Sequence, residues 1–295
     1  MAFEELFFGF LICMFVCRFC MKRTLLRGIT CASAVLGSAI AFATDLPGWQ
    51  CLLLALGAWL VLALLAFLFL WAVCLRVDLA QEQESDSRFY RAVMNLYIEA
   101  LKTLVGIRLT VTGGEKLPTE GRFLLVCNHL YDLDPGIPLT VFPKAQLAFI
   151  SKKENLQKPI VGPLMLKIQC QLIDRENDRA ALKTILKCIS ILKEDKASIA
   201  VFPEGRIVKD GYLLHDFRPG VFKIAQKAEV PIVVCTVNGT QNIVENVKHF
   251  RRTRIDFHLL EVIPAAELKG VTTVDIANRV HSLMAADLGA ENVAN

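Results

Sequence analysis

A histidine and an aspartate stand five residues apart in the segment NHLYDLD, residues 128–134. An imidazole whose tautomer is fixed by a carboxylate can remove a proton from a hydroxyl group, as a general base does. On an ideal helix His129 and Asp134 would lie about 140° apart, so their side chains can meet only where the chain turns between them. The segment follows a short apolar run and precedes a Pro-Gly pair, which predicts such a turn between a strand and a helix.

The same residues also allow a purely structural interpretation. Asp134 followed by Pro135 is the pattern of a helix N-cap with proline at the first helical position, and His129 could be a histidine at the end of a strand. Asp132 is a weaker candidate for orienting His129. This segment alone leaves catalysis and structure as open alternatives.

A second segment, VFPEG at residues 201–205, ends an apolar run and could by itself be an ordinary turn at a strand exit. Further segments stand in a fixed order around it: ISKKE at 150–154, then Pro159, Gly162 and IDREN at 173–177, and finally VPIV at 230–233. Together with NHLYDLD they form an ordered set rather than an isolated motif.

This set resembles the glycerolipid acyltransferases of the 1-acylglycerol-3-phosphate acyltransferase type. NHLYDLD is similar to their NHxxxxD box, VFPEG to their FPEG box and VPIV to a later strand of the family. The block between the first two boxes resembles their K-E, P, G and IDR pattern. The order and spacing agree, and the resemblance covers roughly residues 88–264.

The resemblance implies transfer of a fatty acyl group from acyl-CoA or acyl carrier protein to the free hydroxyl of a lysophosphatidate, which gives phosphatidate. In this reaction His129 would deprotonate the hydroxyl, and Asp134 would orient His129. No tightly bound cofactor is implied, and the sequence shows no metal-ligand spacing. The expected partners are a lysophospholipid acceptor, the acyl thioester donor and membrane lipids.

A phosphate-bearing acceptor needs fixed cations, and the fork of an arginine side chain matches phosphate geometry. The candidates, in order of preference, are Arg175, Arg206 and Lys153. A carboxylate beside bound phosphate would repel it, so we expect Glu204 to hold an arginine or to accept a hydrogen bond from a glycerol hydroxyl. Gly205 would let the backbone approach the substrate closely.

The chain departs from the family after FPEG, where Thr-Arg-Ser is usual and this sequence reads Arg206-Ile207-Val208. The arginine stands one place earlier, and a shift of one residue at a strand exit can turn a side chain to the opposite face. Arg206 could then miss the phosphate, and Arg218 or Lys209 could compensate. The acceptor could therefore differ from lysophosphatidate.

Around these segments, short apolar runs alternate with helical patterns. We expect strands at residues 107–112, 123–127, 198–202, 232–237 and 255–262, and helices at 88–106, 178–193, 221–228 and 274–288. This alternation predicts an α/β fold with a mixed, largely parallel sheet flanked by helices. The helix at 88–106 is amphipathic and could either cap the domain core or contact lipid.

Apolar residues concentrate near the N-terminus, and they account for a mean hydropathy of +0.44. Residues 51–75 contain no charged side chain, and about 20 apolar residues are enough to cross a bilayer. The preceding apolar segment is rich in small side chains, which suit helix packing. We therefore expect transmembrane helices at about 28–44 and 50–75, joined as a hairpin that precedes the α/β domain.

Four basic residues precede this hairpin, one follows it and none lies in its turn, which places both ends in the cytoplasm. An interfacial segment is expected at about 5–20; a third span there is the alternative. The predicted organisation is a membrane region at 1–76, an acidic linker at 77–87 and a cytoplasmic acyltransferase domain at 88–295. The protein would then be an integral protein of the cell (inner) membrane.

Of 33 basic and 29 acidic residues, five and three precede position 77, so the rest of the chain is nearly neutral. A nucleic-acid surface needs a basic excess on one face and is not expected. One short basic cluster could attract anionic lipid headgroups or the phosphates of coenzyme A, or could be a solvated loop: Lys248, His249, Arg251, Arg252 and Arg254. No catalytic setting is evident for the histidines outside the first motif, His215, His249, His258 and His281.

Two alternatives to lysophosphatidate acylation remain. The enzyme could acylate another acceptor, such as glycerol 3-phosphate or a different lysophospholipid. The chain could instead be a non-catalytic membrane lipid-binding or scaffold protein that keeps the fold. The presence of both His129 and Asp134 argues against this second alternative.

Overall fold

The computed structural model describes residues 24–43, 47–81, 83, 85–174 and 177–294. The chain forms two compact units. One comprises Met1–Val77 and Leu96–Thr103, and the other comprises Asp78–Asn95 and Leu104–Asn295. The predicted interfacial segment at 5–20 lies outside the described residues.

Two helices dominate the first unit, α1 (Thr24–Ala43) and α2 (Gly48–Leu75). They pack closely, because a Cβ added at Gly37 would lie 2.8 Å from Cβ of Ala55. Trp59 donates from Nε1 to Oγ1 of Thr30 over 3.3 Å. Small residues at this contact let the two backbones approach, as the composition of the first apolar segment predicted.

By length and composition, one described helix could cross a membrane. Trp49–Leu75 has 27 residues and a hydropathy of 2.8, whereas the other apolar helical stretch, Leu25–Ile40, is shorter. Residues 44–46, which include the start of the hairpin turn expected at 45–48, lie outside the described part of the chain. The transmembrane hairpin therefore stays a prediction.

The second unit is built on a seven-stranded sheet in the order β1-β7-β6-β2-β5-β3-β4. The strands are β1 (Ile107–Thr112), β2 (Leu124–Cys127), β3 (Leu147–Lys152), β4 (Gln171–Ile173), β5 (Ser198–Val201), β6 (Ile232–Asn238) and β7 (Thr253–Ile263). All neighbouring pairs are parallel except β6 and β7. The expectation of a mixed, largely parallel sheet is confirmed.

Helix α3 (Arg88–Leu104) precedes β1. Helices follow most of the strands, as parallel pairing requires. They are α4 (Gly136–Val141), α5 (Val161–Lys167), α6 (Asp178–Lys193), α7 (Lys223–Ala228), α8 (Ile243–Lys248) and α9 (Thr273–Leu288). α6 packs on α7, and α9 packs on β6. The residues of β2 and β5 are buried throughout, since helices cover both faces of a sheet of this kind.

Two strands were not expected from the sequence, β3 and β4. Both are short, and β3 ends in a lysine that belongs to the polar ISKKE segment, so neither gives a clear periodic signal. The helix expected at 221–228 is shorter than predicted, because its first turn is a 3₁₀ turn at Pro219–Phe222.

The segment expected to be an acidic linker is packed in its second half. The side chain of Asp86 is 5% exposed and lies 2.6 Å from Nη2 of Arg91. Arg91 also donates to the carbonyl of Leu147 over 3.0 Å, and Ser87 N donates to the carbonyl of Lys167 over 3.0 Å. These contacts attach the start of α3 to β3 and to the end of α5.

Candidate active site

The pairing of β2 with β5 brings the two main motifs together. The strands are parallel neighbours, with Val126 opposite Val201, so the chain leaves both of them at the same edge of the sheet. Residues 128–134 follow β2, and residues 202–205 follow β5. The carboxyl ends of parallel strands are where α/β proteins commonly place their ligands.

The side chains of His129 and Asp134 meet in a turn. Nδ1 of His129 lies 2.9 Å from Oδ2 of Asp134. The turn forms because Asp134 N donates to the carbonyl of Tyr131 over 2.9 Å, which folds the chain back on itself. Asp134 is 1% exposed, whereas the imidazole keeps 16% of its surface accessible.

Asp134 is held by more than the imidazole. Its Oδ2 also accepts the backbone N–H of Leu130 over 2.6 Å and that of Tyr131 over 2.8 Å. Three contacts on one oxygen fix the position of this carboxyl group. No side-chain cap bond forms at the start of α4, so the N-cap interpretation is wrong, and Asp132 is exposed.

Asn128 fixes the backbone beside the histidine. Its Nδ2 donates to the carbonyls of Leu213 and Val237, both over 2.9 Å, and its Oδ1 accepts the N–H of Val237 over 2.8 Å. Asn128 is fully buried. The amide therefore ties the end of β2 to the end of β6, which holds His129 on a rigid segment.

An aromatic ring fixes the plane of the imidazole. Phe202 stacks on His129 with ring centroids 4.1 Å apart and planes 15° apart, and Phe149 stacks on the far side with centroids 5.9 Å apart. With Nδ1 facing Asp134, the orientation leaves Nε2 as the nitrogen that can serve a substrate. In the sequence, Phe202 was recognised only as part of the FPEG motif, and no role was assigned to its side chain.

Glu204 has a different environment from the expected one. Its Oε1 accepts the backbone N–H of His129 over 3.0 Å, and the residue is 4% exposed. Burial raises the pKa of Glu204 to about 8, against the lowering effect of that hydrogen bond. Among the described contacts of this carboxyl group there is no arginine, so the expectation that it holds one is not met.

His215 lies beside Glu204, although no catalytic setting was evident for it in the sequence. Its Nδ1 is 3.4 Å from Oε2 of Glu204, and its Nε2 is 3.0 Å from Oδ2 of Asp210. Within the described residues, the Glu204 and His215 atoms that face each other are buried without a hydrogen bond. A protonated Glu204 would supply the missing hydrogen. No local pattern could have revealed this, because an irregular segment separates the two residues.

Gly205 and Arg218 lie together. Gly205 has a φ of +76°, a conformation that glycine adopts without strain, and a Cβ there would be 3.0 Å from Nε of Arg218. Arg218 N donates to the carbonyl of Pro203 over 2.8 Å. The exposed Arg218 side chain is therefore attached to the FPEG turn, whereas Arg206 is simply exposed.

The remaining cation candidates follow the last two strands in the sheet order, β3 and β4. Lys153 follows β3 and forms an ion pair with Asp174, which follows β4, at 2.8 Å. The hydrogen bond and charge of Asp174 raise the pKa of Lys153. Arg175, the first candidate from the sequence, lies outside the described residues, directly after Asp174.

Comparison with known proteins supports the motif assignments. Residues 108–238 match the family model described as Acyltransferase. A probable 1-acyl-sn-glycerol-3-phosphate acyltransferase from Mycoplasma pneumoniae is 32% identical over 57% of this chain and 62% of its own length. A 1-acyl-sn-glycerol-3-phosphate acyltransferase from Cocos nucifera is 33% identical over 48% of this chain and 44% of its own. The chain thus spans less than two thirds of these two relatives.

A solved structure shares the fold. The crystal structure of the 1-acyl-sn-glycerophosphate (LPA) acyltransferase PlsC from Thermotoga maritima superposes with a TM-score of 0.57. The match covers 75% of this chain and 86% of that one, at 21% sequence identity. At this identity the likeness concerns the fold alone.

Proposed function

We propose that this chain is a member of the acyltransferase family and transfers a fatty acyl group from an acyl thioester to the free hydroxyl of lysophosphatidate. The observation that carries the proposal is the contact of 2.9 Å between Nδ1 of His129 and the buried carboxylate of Asp134. It fixes one tautomer of an imidazole whose second nitrogen can act as a base. The relatives named above support the choice of acceptor.

In the proposed reaction, Nε2 of His129 takes the proton from the acceptor hydroxyl while its oxygen attacks the thioester carbonyl carbon. A carbon–oxygen bond forms, and the carbon–sulfur bond then breaks. The imidazolium returns the proton to the leaving thiolate, which departs as a free thiol. Asp134 stabilises the positive imidazolium, as the carboxylate of a catalytic triad does.

We assign the phosphate of the acceptor to Arg218, Lys153 and Arg175. Arg218 is supported by its attachment to the FPEG turn beside Gly205. Lys153 is supported by its position next to the segment that carries Arg175. Gly205 would let substrate approach the turn, and Arg206 would have a secondary role from its exposed position.

We propose that the protein is membrane-anchored. The long apolar helix Trp49–Leu75 supports this, and so does an acceptor that stays in a lipid phase. In this proposal residues 1–76 form the membrane region, 77–87 the linker and 88–295 the catalytic domain, which faces the cytoplasm at the inner membrane. The donor is acyl-CoA or acyl carrier protein, either of which reaches the site from the aqueous side.

The test is turnover by the purified full chain in lipid vesicles, with labelled acyl-CoA or acyl carrier protein and lysophosphatidate. We expect labelled phosphatidate from the wild type and none above background from H129A. His249 is an exposed histidine paired with Glu245 at 2.8 Å, so H249A serves as the control and should keep full activity. Turnover by H129A at the wild-type rate would contradict the mechanism.

A second candidate is acylation of a different acceptor, glycerol 3-phosphate or another lysophospholipid. The altered FPEG box favours it, because the arginine after this box is exposed and Arg218 contacts Gly205 instead. A panel of acceptors at equal concentration separates the two candidates. A preference for lysophosphatidate supports the first, and a preference for any other member of the panel supports the second.

A further inference from the structure

A group of arginines lies at the edge of the sheet, outside the candidate active site. Strands β1 and β7 are parallel, with Arg108 directly opposite Arg254, and Arg251 and Arg252 immediately precede β7. Together with Thr110 these four arginines line an open groove of about 630 Å³. The sequence indicated three of them as a basic cluster, and β1 adds the fourth from a distant segment.

The charge in this groove is unbalanced. Like charges directly opposite each other on neighbouring strands are destabilising, and Arg108 faces Arg254 in this way. Between Glu245 and Asp256 the chain has four basic side chains against two acidic ones. Glu245 contacts Lys248 and His249, and Asp256 is 3.8 Å from Arg254. The excess of guanidinium groups favours an anionic ligand.

An apolar side chain projects beside the same groove. Phe250 is 99% exposed and directly precedes Arg251. Its φ of +53° is a strained conformation for a residue with a Cβ, of the kind that clusters at functional positions. Phe250 N donates to the carbonyl of Val247 over 3.1 Å, and Arg251 N donates to that of Asn246 over 2.7 Å. The backbone therefore holds the phenyl ring out from the domain.

This surface lies on the same edge of the sheet as the candidate active site. Strand β7 is antiparallel to β6, so it begins at the edge where β2, β5 and β6 end. In the order β1-β7-β6-β2, three inter-strand spacings separate Arg108 on β1 from the strand that precedes His129. At about 4.8 Å each, this is roughly 14 Å across the sheet.

We propose that the arginine–phenylalanine surface, comprising Arg108, Phe250, Arg251, Arg252 and Arg254, docks on an anionic phospholipid bilayer. The guanidinium groups bind lipid phosphates, and the phenyl ring enters the interface. A soluble nucleotide could pair its phosphates with the arginines and stack its base on the phenyl ring, so the test below separates this ligand from the bilayer. The inference goes beyond the proposed function by assigning a lipid contact to the sheet edge that carries His129.

The test places a fluorescent reporter at position 250 of the arginine–phenylalanine surface. The full-length F250W variant is inserted into vesicles of brominated phosphatidylcholine, with or without phosphatidylglycerol, and its tryptophan quenching is compared with that of the wild type. Subtracting the wild-type quenching removes the contribution of the native tryptophans and leaves that of the new indole. The native tryptophans are Trp49, Trp59 and Trp71. We expect quenching in the anionic vesicles, and a loss of quenching in neutral vesicles or at high salt.

Two further variants complete the test. V274W has an indole at an exposed apolar position in the first turn of α9, and it should show no added quenching. Adding R251Q and R254Q to F250W should weaken docking about 30-fold, at about 1 kcal/mol for each arginine near an anionic surface. Equal quenching in neutral and anionic vesicles would overturn the proposal.

A rise in the KM for acyl-CoA in R251Q/R254Q, with quenching unchanged, would also overturn the proposal, because the arginines would then bind the donor phosphates. The quenching measurement needs no turnover, so H129A in the F250W background should give the same result as F250W alone. The docking result can therefore be interpreted even if the proposed reaction fails.

Discussion

The imidazole of His129 stacks on the ring of Phe202, with centroids 4.1 Å apart and planes 15° apart. This contact joins the segment after β2 to the segment after β5, so both motifs contribute to one orientation of the imidazole. The carboxylate of Asp134 fixes the rotation of the imidazole within that plane. Together the two contacts leave Nε2 of His129 in one position.

Replacing the aromatic ring that stacks on His129 should affect turnover more strongly than it affects the stability of the fold. In F202L an apolar side chain remains but the flat ring is lost, and we expect kcat to fall about tenfold, in line with the energy of an aromatic pair. F149L is the matched control, because Phe149 touches Phe202 rather than His129. Equal losses of kcat in the two variants would show that the stack does not orient the base.

Replacing Asp134 should cost more than replacing Phe202. In D134N the amide can face Nδ1 with a donor, which favours the wrong tautomer, so we expect kcat to fall about 10³- to 10⁴-fold, as in a triad that loses its carboxylate. The control is D132N in the same loop, at an exposed position, with activity close to wild type. A loss of less than tenfold in D134N would remove Asp134 from the mechanism.

Glu204 should make stability depend on pH. Burial raises its pKa to about 8 from a usual value near 4.5, so the folded state binds the proton more tightly than the unfolded state does. Its contribution is complete below about pH 4.5 and is lost as the pH rises through about 8. In E204Q the side chain stays neutral, so its Tm relative to wild type should rise between about pH 5 and pH 8.5.

E194Q is the control for this pH effect. Hydrogen bonds from Lys196 and Ser190 lower the pKa of Glu194, and neither partner changes its charge between about pH 5 and pH 8.5, so the contribution of Glu194 changes only at pH values below this window. The Tm difference between E194Q and wild type should therefore stay constant from about pH 5 to pH 8.5. Parallel Tm curves for E204Q and wild type would contradict a buried, protonated Glu204.

The buried ion pair of Asp86 and Arg91 should be needed for stability. D86A leaves a guanidinium that is 8% exposed without its carboxylate, which should cost about 3 kcal/mol or more of unfolding free energy. D195N neutralises a carboxylate that is 80% exposed and keeps a residue type that tolerates the φ of +55° at this position, so it should cost at most about 1 kcal/mol. Thermal unfolding in detergent distinguishes the two. A D86A loss as small as that of D195N would contradict the prediction.

The sequence was sufficient for features that depend on neighbouring residues. The apolar periodicities of β1, β6, β7, α6 and α9 predicted those elements within a few residues, because a short period reports which face is buried. The His129 and Asp134 pair could also be predicted, since only one turn separates the two residues. The short strands β3 and β4 have too few residues to show a period.

The sequence by itself determined the α/β class, the pairing of His129 with Asp134 and the apolar helices near the N-terminus, because each of these follows from local spacing or composition. Only the tertiary structure decided that Glu204 accepts the His129 amide, that His215 faces Glu204 and that Arg108 lies opposite Arg254. The strand order brings the residues of the first and the third pair together, although at least 75 positions of the chain separate them. An irregular loop brings the residues of the second pair together. Long-range pairing of this kind leaves no periodic signal in the sequence.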